Sequence, residues 1–129
     1  MQNVMMRLGS FVFTLDGAAY ARLERATAFR WAAQERHGRE AALQFLGPGE
    51  DTLTLPGTIL PHFRGGVGQV EALRALAAGG EPLLLVDGLG RIHGLWAVTS
   101  VGETREVLFA DGTPRRIEFT LGLRYFGEV

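Results

Sequence analysis

Behind an Asp111-Gly112 pair, Ile117, Phe119, Leu121, Leu123 and Tyr125 alternate with Arg116, Glu118, Thr120, Gly122 and Arg124. Side chains of an extended strand point to opposite faces in turn, so this period of two gives the segment one apolar and one wet side. Asp-Gly is a hairpin turn signal. Glu103 to Phe109 before it and Pro114 to Phe126 after it therefore read as one long hairpin, over about 103–126. A chain that ends this way must build a sheet and cover one face of it.

The same period recurs upstream. Ser10 to Leu15 is strand-like and stops at Asp16-Gly17. Leu23, Arg25, Thr27, Phe29 and Trp31 share one side of a second run, Leu23 to Ala32, if it is extended, although its alanine-rich composition would also permit a helix. Polar residues 34–40 (QERHGRE) read as a loop, and Ala41 to Leu46 as a short strand ended by a Gly47-Pro48-Gly49 turn. Leu53, Leu55, Gly57 and Ile59 then take one face, with Asp51. Pro56 cannot donate to a ladder and belongs at an edge or a bulge. Pro82 to Val86 and Arg91 to Val101 add two more strands. The helical exception is residues 68–79: Val70, Leu73, Leu76 and Ala77 form one stripe, and Gly79-Gly80 followed by Pro82 supplies a stop. About seven or eight strands and one short helix without βαβ alternation give the α+β class, mainly an antiparallel β-sandwich or barrel.

At 129 residues with 47% apolar composition, the chain reads as a single domain, 1–129, that buries roughly two thirds of its unfolded surface. It has no cysteine, which removes disulfides, thiolate metal sites and thiol catalysis. The start lacks the apolar core of an export signal, and no run reaches the roughly 20 apolar residues of a membrane span, so a cytoplasmic origin and no membrane partner are expected. A formal net charge of −1 offers no field for nucleic acid. All 13 basic residues are arginine, which a GC-rich coding bias explains more simply than selection for bidentate contacts.

Chemical motifs are few. Residues 88–94 (GLGRIHG) suggest a nucleotide loop, but the glycine spacing is one residue too long and IHGLWAVTSV continues as a strand, where a pyrophosphate needs a helix N-terminus. Residues 65–68 (GGVG) open the helix without the Lys and Ser/Thr of a phosphate loop. A nucleotide- or anion-binding module using 65–68 or 88–94 is the alternative function. His37, His62 and His93 have no partner at ligand spacing. Glu50 and Asp51 are adjacent and point to opposite faces, the wrong geometry for an acid/base pair. Ser10 and Ser100 lie in no nucleophile elbow. Phe29, Trp31, Trp96 and Phe119 read as core aromatics in preference to a base-stacking platform. No catalytic, metal or cofactor site is expected.

FVFTL with Asp16, RATAFRWA, ALQFLGPGEDTLTLPGTILP, VEALRALAAGG, GRIHGLWAVTSV and DGTPRRIEFTLGL together resemble the tail protein U (GpU) family of contractile-tailed temperate phages, from about Leu8 to Leu123. Leu46 to Asp51, Gly90 to Trp96 and Arg115 to Leu121 are the most specific pieces. The resemblance implies a non-enzymatic structural component of a phage or prophage tail, or of a related bacteriocin, needed to complete the tail at its tube and baseplate end. It implies a fold similar to tail-tube proteins, a ring, hexameric in the tail, and tube, hub or baseplate partners. Such a chain is made in the bacterial cytoplasm and ends in a virion tail or tail-like particle. Low net charge does little to oppose such association. Glu50, Asp51, Asp111, Arg115 and Arg116 are the candidate interface residues, at exposed turns where a partner could reach them.

Overall fold

The computed structural model describes residues 4–14, 19–60, 68–112 and 114–128. In chain order the elements are β1 (Val4–Leu8), β2 (Phe11–Thr14), β3 (Ala19–Tyr20), β4 (Glu24–Arg36), β5 (Arg39–Ile59), α1 (Gln69–Ala78), β6 (Leu83–Asp87), β7 (Ile92–Leu108) and β8 (Pro114–Gly127). All strand pairs are antiparallel, in the order β2-β1-β6-β7-β8-β5-β3, with β4 on β5. The expected class is the one found.

The alternation in β8 does what its period demands. Ile117, Phe119, Leu121 and Leu123 are buried and meet Leu53, Leu55 and Ile59 of β5, Met6 and Leu8 of β1, Phe11 and Phe13 of β2, and Leu85 and Trp96. The sheet curls until its two edges approach: the Phe13 and Tyr20 rings lie 5.8 Å apart, edge to face. Helix α1 closes the core with Val70 and Leu73 and packs on β7 and β2. Pro56 pairs opposite Thr120, and its carbonyl accepts from the Ala21 amide at 2.7 Å. Its ring nitrogen therefore faces the break between β3 and β4, where no ladder hydrogen bond is lost.

Several boundaries differ from the sequence reading. Val4–Leu8 is a further strand, between β2 and β6, that the expected elements do not include. The segments 91–101 and 103–109 are one strand, β7, so the C-terminal hairpin runs over 92–127. The largest correction concerns Gly47-Pro48-Gly49, which is no turn. It lies inside the 21-residue β5, and the chain instead reverses at His37-Gly38, inside the expected loop, where Arg36 faces Arg39. The Asp16-Gly17 turn, His62 and residues 65–67 lie outside the described residues.

Gly-Pro-Gly works as a double bulge. Thr27 faces Asp51, Phe29 faces Pro48, Arg30 faces Gly47 and Trp31 faces Phe45, so β5 carries one extra residue on each side of the motif. Gly47 takes φ 115°, a conformation that a residue with a Cβ rarely adopts. Turn chemistry and bulge chemistry use the same residues, which is why the sequence alone misassigns it.

Candidate assembly interface

Beyond Asp51, β4 and β5 leave the body as a two-stranded arm with no other strand beside it among the described residues. From Thr27 to Arg36 it extends about 30 Å at roughly 3.3 Å per residue. Phe29, Trp31, Leu43 and Phe45 are 60, 55, 64 and 50% exposed. They share one face, because Trp31 lies opposite Phe45 and Ala33 opposite Leu43. The Trp31 and Phe45 rings touch edge to face at 4.9 Å, and Phe29 and Phe45 are 6.4 Å apart. This face continues the core side of the sheet past the end of the core. Of the four expected core aromatics, Trp96 and Phe119 are buried, whereas Phe29 and Trp31 are on the surface. Contiguous exposed aromatics on a ribbon that covers nothing mark an interaction surface.

The arm root is fixed by charge. Arg25 donates Nε to Asp51 Oδ1 at 2.9 Å and Nη2 to Oδ2 at 2.5 Å, and the Thr27 hydroxyl donates to Oδ1 at 3.2 Å. The Arg25 guanidinium also sits 5.7 Å from the Trp96 ring centre. On the opposite face Glu50 pairs with Arg124 at 3.0 Å. Glu50 and Asp51 thus find arginines of their own chain. Asp111 lies exposed at the β7–β8 tip and Arg116 pairs with Glu118 at 2.7 Å. Arg115 belongs to β8, with its side chain outside the described residues. Since Thr52 faces Arg124 and β8 begins at Pro114, the arm root and the hairpin tip are more than about 30 Å apart along β8. The five candidate residues form two surfaces at opposite ends.

Other chemistry is internally satisfied. Asp87 accepts from the Leu89 and Arg91 amides at 2.9 and 3.0 Å and from His93 Nε2 at 3.0 Å, and the Gly90 amide donates to the Asp87 carbonyl. Three successive amides of GLGRIHG, those of Leu89, Gly90 and Arg91, are thus engaged by Asp87, and a strand follows at Ile92. Among the described residues no group of three or more His, Asp or Glu is placed to hold a metal ion, and no helix is long and apolar enough to cross a membrane.

These pairs make stability depend on acid. The hydrogen bond from Arg25 holds Asp51 below the usual carboxylate range, and that from His93 does the same for Asp87. Burial pushes Glu103 up, but hydrogen bonds and charge from Arg74 and Arg105 outweigh it and leave it lowered. A carboxylate lowered in the folded state adds stability above its unfolded value of about 4, lost as pH falls through the folded value. The thermal midpoint is expected to be level from pH 7 to 5 and to fall below pH 4. A midpoint that holds or rises between pH 4 and 2.5 would contradict this.

Comparison with known proteins agrees with this architecture. A segment of a probable tape measure protein of Halomonas phage phiHAP-1 is 32% identical over 123 residues, 94% of this chain. The chain spans only 14% of that relative's length. A chain in the C6-symmetric tail of an empty gene transfer agent particle aligns with a TM-score of 0.54 at 16% identity, covering 97% of this chain and 92% of that one. A chain of the native gene transfer agent virion aligns with a TM-score of 0.52 at 14% identity, with the same coverage. Residues 9–128 match the family model of Phage P2 GpU, and the chain belongs to that family of phage tail proteins.

Proposed function

We propose that the chain is a structural subunit of the tail that joins copies of itself into a closed ring of six at the tube and baseplate end, and completes the tail there. The arm carries this reading: its aromatic face is uncovered in the single chain, and a neighbour is the natural cover. The sixfold symmetry of a tail with a similar fold supports a ring, and a related segment within a probable tape measure protein supports a tail setting. The chain acts as one unit over 1–129, structural and not catalytic, and takes its place in a virion tail or tail-like particle with tube, hub or baseplate proteins. Glu50 and Asp51 contribute by holding the arm through Arg124 and Arg25, while Asp111, Arg115 and Arg116 at the far end face the adjoining ring.

Electron microscopy of tails and sedimentation of the purified protein test this. Wild-type protein is expected as sixfold rings in the tail. A Phe29→Ser/Trp31→Ser/Phe45→Ser variant is expected to keep its thermal midpoint within a few degrees, since exposed substitutions usually cost within about 0.5 kcal/mol each, yet to be absent from tails. Isolated tails that hold the protein only as single copies would end the ring reading.

A further inference from the structure

We propose that the groove between α1 and β7 is a strand-addition site, and that its occupant is the β5 edge of the arm of a second copy. The inference rests on the ring reading and specifies its contact.

Strand β7 pairs with β6 only through Ile92–Trp96, and from Ala97 onward its ladder partner is β8. Among the described residues the other edge of 98–102 has no strand beside it. That stretch is Val-Thr-Ser-Val-Gly, without the charge or proline that often blunts an open edge; one extra residue between Val98 and Ser100 leaves Ser100–Gly102 as its regular part. Arg74, Ala77 and Ala78 of α1 stand across from residues 98–101 and leave an open groove of about 420 Å³. Two small alanines leave it unfilled. Arg74 fixes its width, donating to Glu103 of β7 and to Glu71 at 2.6 Å each. A helix beside an open strand edge is the arrangement in which an extended segment adds as one more strand.

An occupant needs an open edge of its own. Residues 41–46 of β5 (AALQFL) pair with β4 on one side, and β5 meets β8 only from Thr52 onward. This run is also uncharged and, at six residues, is long enough to span the five of 98–102. Pro48, which cannot donate, ends it. Two open edges at different places on one chain give a heterologous contact, the kind that closes into a ring. Phe29, Trp31 and Phe45, each at least half exposed, bring roughly 300 Å² of aromatic surface to the same neighbour. Backbone pairing and the groove walls add to this, toward the roughly 800 Å² per partner of a stable interface.

The chain contains no cysteine, so introduced pairs report without background. Thr99→Cys, Ser100→Cys and Val101→Cys proteins are each mixed with Leu43→Cys, Gln44→Cys and Phe45→Cys proteins under assembly conditions and mild oxidation. Only variants whose thermal midpoint stays within a few degrees of wild type are scored. At least one mixture is expected to give a disulfide-linked dimer at ten times the yield of either protein alone. If wild type forms rings and no mixture crosslinks, or if the β7 variants crosslink only to themselves, the strand-addition site is overturned and the ring stands. If wild type forms no ring in tails, both readings fall together.

Discussion

Replacing Trp96 with alanine is expected to cost about 3–5 kcal/mol of folding stability, the range for removing a large buried aromatic. Trp96 is 1% exposed, its Nε1 donates to the His93 carbonyl at 3.0 Å, and its ring meets Tyr125 edge to face at 5.3 Å. The substitution leaves a cavity, an acceptor without its donor, and the Arg25 guanidinium without the ring it approaches. Denaturant unfolding measures the loss, and in a chain of this size the thermal midpoint should fall by more than about 10 °C. Trp31→Ala is the internal control: the same side chain lost from the arm surface should change stability by no more than about 0.5 kcal/mol. A loss at Trp96 as small as that at Trp31 would mean that the core does not sit where the structure places it.

The second large effect is at Gly94, expected to lose about 2–5 kcal/mol on substitution by valine from backbone strain and overpacking together. Gly94 has φ 98°, and a Cβ there would lie 2.9 Å from Tyr125 Cε1 and 3.0 Å from the Gly127 carbonyl oxygen. Gly90 separates the two causes. Its φ is 84° but a Cβ would meet nothing within 4 Å, so Gly90→Val carries strain alone, about 1–3 kcal/mol. Chemical denaturation of the two variants side by side should rank Gly94→Val clearly below Gly90→Val. Equal losses would show that Tyr125 moves aside.

The sequence is most legible where one face is buried and the other wet. In β8, in residues 53–59 and in α1 the core imposes its period on the residues, and the observed burial follows it. The arm is the reverse case. Both its faces are open, so nothing forces apolar residues to alternate, and polar 34–40 looks like a loop although most of it is paired strand. Gly47-Pro48-Gly49 misleads because a bulge asks for the same conformational freedom as a turn. Phe29 and Trp31 look like core because the sequence shows hydrophobicity, not what covers it. Glu50 and Asp51 are legible as polar residues facing opposite ways, but their partners Arg124 and Arg25 lie 74 and 26 positions away, set by strand pairing that no local pattern reports.

The two extra residues beside Pro48 limit how this chain can vary in length. Each bulge shifts the alternation of β5 by one, and together they restore it, so Phe45 and Leu43 return to the face that carries Asp51 and Leu53. Loss of a single residue between Leu46 and Glu50 would turn the aromatic side of β5 over while leaving β4 as it is, parting Phe45 from Trp31. Loss of two would keep the faces and remove both bulges, leaving the length of the arm as β4 sets it. Insertions and deletions in this segment are therefore tolerated in even numbers, and homologues should differ here by two residues or by none.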